Sequence, residues 1–309
     1  ESGLRVLATT TTHIREDQLS LMPEAVRFDA SSITISEALS EFGFVFLYDR
    51  IEDGLVYGPA VNAVPLLLDA VDSDVLLVEA DGSSGRPLKA PGVGEPVIPP
   101  ETTLVIPVLS LSVRGKPLDD EWVENTQAII DRYGFVRGNP VRSPWVAQIL
   151  RDDTLGLRDV PEDARIVAML NRTPSKGYGR ARARLIARLA LRKSRLHGVA
   201  IGSVRTVEPI HEVRRPIGAI VLAAGMSTRM GEPKMLLPWT EKRTIVEHVV
   251  EQVLNSRVDH ITVVTGHYSK SVKSVIEPMG VDVVYNRGYK TGEMLSSVKA
   301  GLRAMPDNV

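Results

Sequence analysis

Short apolar runs of strand length alternate with amphipathic stretches along this chain, and that alternation limits its fold more than any other feature. Leu4–Ala8, Val75–Glu79, Thr103–Leu109, Ala164–Leu170 and Val199–Val204 read as strands, with helices at Asp119–Tyr133, Pro144–Asp152 and Gly179–Leu196. A fresh strand, Ile217–Ala223, opens a second series. Helix Thr244–Ser256, strand Asp259–Thr265, helix Ser269–Met279, strand Val281–Tyr285 and a helix from about Glu293 follow it. Repeated βα units build largely parallel sheets, so the expected fold class is α/β. Between the two series, Thr206–Pro216 has two prolines, mixed charge and little periodicity. It is expected to link domains 1–205 and 217–309.

A length of 309 residues suits two domains at roughly 100–200 residues each. Hydrophobic residues make up 43% and charged residues 24%, which excludes disordered and collagen-like chains. Lys plus Arg number 37 against 38 Asp plus Glu, so no overall bias toward polyanions exists and no nucleic-acid partner is expected. The absence of cysteine excludes disulfides, thiolate metal sites and cysteine nucleophiles. The six histidines, at 13, 197, 211, 248, 260 and 267, show no metal-ligand spacing. Apolar stretches such as Val75–Val78 and Ala219–Ala224 are too short to span a bilayer. The first residues form neither a basic n-region nor an apolar h-region, so a cytoplasmic protein with no membrane partner is expected.

The helix Gly179–Leu196 carries arginines at 180, 184, 188, 192 and 195, plus Arg182 and Lys193. Most fall on one face, with Leu185, Ile186 and Leu189 elsewhere. Such a face either meets phosphate or stays solvated. Without interleaved aromatics it reads as solvated.

After Ile217–Ala223 come Ala224, Gly225, Ser227, Thr228, Arg229, Gly231 and Lys234. Small residues let backbone N–H groups approach a phosphate, and the two cations can neutralise a triphosphate. The spacing matches neither the dinucleotide fingerprint nor the Walker loop. An ordinary βα turn with two surface cations is the plain alternative. The whole run from Leu222 to Lys234, L-A-A-G-M-S-T-R-M-G-E-P-K, resembles the signature of MobA-like nucleotidyltransferases, and within them the molybdenum cofactor cytidylyltransferases. A second stretch, from Asn286 to Val298, resembles that family's element near base, ribose and acceptor. It departs from the pattern at Arg287, where proline is usual, and at Glu293, which separates Gly292 from Met294.

That resemblance implies a partial Rossmann-like domain whose catalytic cations are Arg229 and Lys234. Its nucleotide contacts would come from Leu222, Ala223, Ala224, Gly225, Ser227, Arg229, Lys234, Asn286, Gly292, Ser296 and Ser297. For Ser296 and Ser297, helix capping is the alternative role. The implied reaction is attack by the terminal phosphate of molybdopterin on the α-phosphorus of CTP, with pyrophosphate leaving and Mg²⁺ bridging phosphate oxygens. The family's metal-binding Asp, in a G-D-x-P turn, has no counterpart after Ile217. The domain therefore reads as its N-terminal half, and little turnover is expected from it.

In the first series, Val75–Asp81 is an apolar strand ending in acids, so Glu79 and Asp81 are candidate Mg²⁺ ligands; an Asp-Gly turn is the plain reading. The strings T-T-T-T-H-I, E-A-D-G-S-S-G-R-P-L-K-A-P and G-K-P-L-D resemble the YqeC-type accessory proteins of selenium-dependent hydroxylases, across roughly 1–205. This implies a P-loop-like parallel-sheet domain. Its phosphate loop would precede Leu4, so truncation is expected at both chain ends. Asn171-Arg172-Thr173-Pro174 lacks the Lys and Asp of a guanine-reading motif. The threonines 9–12 either reach metal or phosphate or simply favour β structure, and Arg86 and Lys89 either clamp an anion or are solvated.

Together the two resemblances imply a fused maturation protein that supplies molybdopterin cytosine dinucleotide, with a molybdenum hydroxylase as candidate partner. Two alternatives stay open: a sugar-phosphate or methylerythritol-phosphate nucleotidyltransferase, and a non-catalytic molybdopterin carrier or chaperone.

Overall fold

The structure, a computed structural model, describes residues 3–192, 194–228 and 231–309. It is mixed α/β with parallel strands in both of two compact units, Glu1–Ile186 with Ile201–His211, and Ala187–Ala200 with Glu212–Val309.

The first unit carries a parallel sheet in the order Ala25–Arg27, Phe44–Tyr48, Val6–Thr10, Val75–Glu79. The register sets Val6 beside Val75 and Thr10 beside Glu79. On one face Leu7, Val45 and Leu47 pack against Ile35 and Leu39 of the helix Ser32–Phe42. That helix starts where the Ser31 hydroxyl accepts the Thr34 N–H, and it ends at Gly43 with φ 69°. On the other face Ala8 and Phe46 meet Ile14 and Val56.

Several elements depart from expectation for local reasons. The strand expected over 103–109 forms as Leu104–Val105 and Val108–Ser110, both parallel to Arg165–Asn171. Between them Pro107 has no N–H to give a ladder. The helix expected from Asp119 begins only at Thr126 and runs to Tyr133. Ahead of it the Trp122 and Val123 amides turn back onto the Asp119 carbonyl, and Val123–Glu124 pairs with Leu88–Lys89. Within the expected linker, Ile210–Arg214 is a strand. The arginine-rich helix spans Gly177–Leu191 and buries Ala183, Ile186, Ala187, Ala190 and Leu191, whereas Leu185 stays exposed. Alanines thus form most of its inner face, at the i, i+3, i+4, i+7 spacing of a helical stripe.

The second unit holds a parallel sheet in the order Gly218–Ala223, His260–Thr265, Asp282–Tyr285. Every residue of the central strand is buried. Helix Ile245–Leu254, opened by a Thr244/Glu247 capping box, and helix Ser269–Ile276 place Val246, Val250, Val272 and Ile276 on Val221, Ile261 and Val263. Helix Glu293–Ala304 also lies on this sheet, close enough that a side chain at Gly301 would meet Ile220 at 2.5 Å.

Candidate functional site

In the second unit the three strands finish level, with Ala223 beside Thr265 and Thr265 beside Tyr285. The carboxyl end of a parallel sheet is where α/β folds place ligands. Leu222 is half-buried and Ala223 and Ala224 are buried, whereas Gly225 faces open space with nothing within 4 Å of where a Cβ would stand. Ser227 adopts φ 53°, an uncommon conformation for a side-chain-bearing residue. Its hydroxyl accepts the Lys234 N–H at 3.0 Å and closes the loop on itself. Lys234 is exposed and starts the short turn Lys234–Leu236, whose Met235 and Leu236 pack on the core. Arg229 lies outside the described residues.

Gly266, after the central strand, supports this loop. A Cβ there would stand 2.5 Å from the Ala224 carbonyl oxygen and 2.8 Å from Tyr289 Cβ. Beside it, His267 Nδ1 lies 3.3 Å from the Tyr289 hydroxyl, and the Tyr285 and Tyr289 ring centroids are 6.1 Å apart. Sequence reasoning passed over Gly266 and His267. The signal was a small residue and a polar aromatic directly after a buried strand.

Asn286, Gly292, Ser296 and Ser297 come together, largely spent on one another. The Asn286 amide donates to Ser296 Oγ at 2.7 Å and to Ser297 Oγ at 3.0 Å, while its oxygen accepts the Gly288 N–H at 2.9 Å. The Asn286 backbone N–H reaches the Thr265 carbonyl at 2.8 Å. Asn286 and Ser297 are both buried. Ser296 Oγ also donates to the Glu293 carbonyl, 2.9 Å away. The serines therefore do not cap the helix; Gly292 holds the cap position without a side-chain bond.

In the first unit, Asp81 leaves the strand Val75–Glu79 to meet Lys89. The Lys89 ammonium lies 2.6 Å from Asp81 Oδ1, 2.6 Å from Glu95 Oε2 and 4.0 Å from Glu124 Oε1, and it donates to the Gly82 carbonyl at 2.7 Å. Its side chain is 10% exposed. Burial works to lower the Lys89 pKa, but the hydrogen bonds to Asp81 and Glu95 carry it above its ordinary value. Burial pushes the Asp81 carboxyl up against the pull of Lys89. At Glu95 burial acts in the same direction, yet Lys89 and the Gly92 N–H hold that carboxyl below its usual range. Burial also pushes Glu79 up, opposed by His13 and assisted by Asp81.

The ammonium thus stands among these carboxylates where a free cation would, and Asp81 as it stands does not fit a metal. Among the described residues, no group of three or more His, Asp or Glu is gathered to hold a metal ion. Three of the four threonine hydroxyls are committed to carbonyls: Thr9 to Leu47 at 2.7 Å, Thr10 to Glu79 at 2.9 Å and Thr11 to Val97 at 2.6 Å. Arg86 Nε is bonded to the Asp120 carbonyl at 2.7 Å. Among the described residues no helix is long and apolar enough to cross a membrane.

The comparisons with known proteins match two separate stretches of the chain. Residues 219–309 match the family model of the MobA-like NTP transferase domain, so the second unit carries a nucleotidyltransferase-type domain. Residues 1–127 match the family model of the YqeC protein. One relative, the uncharacterized protein YqeC of Escherichia coli (strain K12), is 32% identical over 171 residues, which are 55% of this chain and 66% of that protein. The bifunctional protein GlmU of Francisella tularensis subsp. novicida (strain U112) is 34% identical over 92 residues, 29% of this chain and 19% of that protein. The same protein from Francisella tularensis subsp. tularensis (strain WY96-3418) matches to the same extent. The chain thus spans just under two thirds of the first relative and about a fifth of the others. No solved structure matches the chain significantly.

Proposed function

We propose that the second unit transfers a cytidylyl group from CTP to molybdopterin, releasing pyrophosphate, in the maturation of a molybdenum hydroxylase. In this reading, 1–205 is a YqeC-like accessory domain, 206–216 a connecting segment and 217–309 the transferase portion. The observation that carries it is the loop after Ala223: buried alanines, an open Gly225, and Ser227 in a left-handed conformation closing on the Lys234 amide. Such a loop offers backbone N–H groups to a triphosphate, with Lys234 and Arg229 as cations around it. The catalysis expected is positioning plus charge neutralisation.

Magnesium would supply further neutralisation of the phosphates when bound. Among the described residues of the second unit, no group of three or more His, Asp or Glu is gathered to hold it. Asn286, Ser296 and Ser297 would act by bracing the 286–292 loop, leaving Tyr289 and the start of the Glu293–Ala304 helix to face the acceptor.

Titration of the chain with CTP, GTP and ATP in Mg²⁺, beside Arg229→Ala, tests the reading. CTP-preferring binding lost in the variant supports it. Equal binding of all three would remove the cytidylyl assignment, and no binding would leave an incomplete transferase domain or a carrier role, between which the full-length gene product would decide.

A further inference from the structure

In the first unit a cavity of about 520 Å³ opens beside the loops that leave Asn171 and Gly202. A volume of this size falls in the range of small-molecule sites. One wall is the loop 172–175, the other the segment 203–211. The backbone of both walls is fixed. The Asn171 side-chain oxygen accepts the Arg172 N–H at 2.8 Å and the Val204 N–H at 3.2 Å, and the Thr173 N–H donates to the Gly202 carbonyl at 2.9 Å. A Cβ at position 202 would stand 1.9 Å from the Pro209 oxygen, so the second loop folds back only over a glycine. Arg172 itself holds φ 53°.

The side chains facing this space are not spent in the same way. Among the described residues, neither Arg172 nor Glu208 forms an ion pair. Nε2 of His211 is buried with no hydrogen-bond partner, which costs stability unless something meets it. A guanidinium only donates, an ionised carboxylate only accepts, and an imidazole nitrogen does either. A phosphate or carboxylate would satisfy Arg172 but be repelled by Glu208, and a simple cation would meet the reverse. A neutral heterocycle with N–H donors on one edge and acceptors on the other satisfies all three. A carboxylate accepts two parallel N–H donors in the same forked geometry in which it accepts a guanidinium. Cytosine and adenine offer only one donor group on their pairing edges.

We propose that this cavity binds a 2-amino-4-oxopyrimidine ring, the edge shared by pterins and guanine. Glu208 takes the ring N–H and the exocyclic amine, and Arg172 and His211 Nε2 serve the carbonyl side. The site lies in the first unit, so its failure would leave the transferase reading, which CTP binding tests, where it stands.

The test is a pterin fluorescence titration of the full chain, with guanosine, cytidine and inorganic phosphate as competitors, repeated on Glu208→Gln and Arg172→Gln. Both residues are exposed, and melting curves of the variants check that they fold. Saturable pterin binding that weakens at least tenfold in Glu208→Gln is expected. Competition by guanosine would then admit a guanine nucleotide as the natural source, and its failure to compete would single out a pterin. The proposal is overturned if neither pterin nor guanosine binds saturably. It is equally overturned if cytidine or phosphate displaces pterin as well as guanosine does, or if Glu208→Gln binds like the parent.

Discussion

The side-chain amide of Asn286 and the hydroxyl of Ser297 form a buried hydrogen bond of 3.0 Å across eleven positions of sequence, clasping the end of one strand to the N-terminal part of the last helix. Asn286→Ala removes this bond, the bond to Ser296 and the anchor of the Gly288 amide together. A loss of about 1–3 kcal/mol is expected from leaving such buried groups unpaired. Urea unfolding measures it, and an unchanged midpoint would show that the clasp contributes nothing.

Arg229→Ala and Lys234→Ala are expected to weaken triphosphate binding by about 1.5–3 kcal/mol each, the scale of one charge-assisted bond. Lys234 is the cleaner probe, because its backbone N–H is held by Ser227 and the substitution removes only the ammonium. Calorimetry with CTP reads both. Parent-like affinity in the two variants would exclude the loop as the phosphate site.

Lys89→Met should destabilise the first unit by about 3 kcal/mol, the low end for breaking a buried ion pair, since Glu95 is 36% exposed and keeps some water. The defect should shrink as pH falls through the carboxylate range, because protonated Asp81 and Glu95 no longer repel one another. Melting curves of parent and variant between pH 3 and pH 7, roughly the span of carboxylate titration, would show the two converging. A constant gap would point to lost packing instead.

Asp152 is expected to make the fold acid-sensitive. Burial works to raise its pKa, but bonds from Thr154, Tyr133 and Arg132 hold it at about 2. The shortest come from the Tyr133 and Thr154 hydroxyls, both 2.6 Å. A depressed folded-state pKa means the contribution is complete above the unfolded value, about 3.9, and is lost as pH falls toward 2. Asp152→Asn should therefore flatten the stability profile over that window while lowering stability at neutral pH. Unaltered slopes in a pH series of melting curves would refute this.

Strand Val75–Glu79 was readable to the residue, and the three strands of the second unit to within one position at each end, because continuous apolar runs closed by polar turns are unambiguous. The inner face of the arginine-rich helix was not. Alanine is only weakly apolar, so the residues that stood out off the arginine face were Leu185, Ile186 and Leu189, of which Ile186 is buried and Leu185 exposed. Resemblance found the loop 222–234 and the Asn286 segment, but not that Asn286 and the serines are turned on each other. The Lys89 cluster was invisible for a different reason: its members sit at 81, 89, 95 and 124, and only the fold, including the pairing of Val123–Glu124 with Leu88–Lys89, brings them together.

An ammonium fixed to the chain differs from a bound ion in one practical respect: it cannot be removed by a chelator or exchanged for another element. The first unit's acidic end of strand is held by Lys89, with its effective concentration set by the loop rather than by the surroundings. This part of the molecule should therefore keep its shape unchanged through EDTA treatment and metal starvation, whatever happens to the supply of metal elsewhere in the cell.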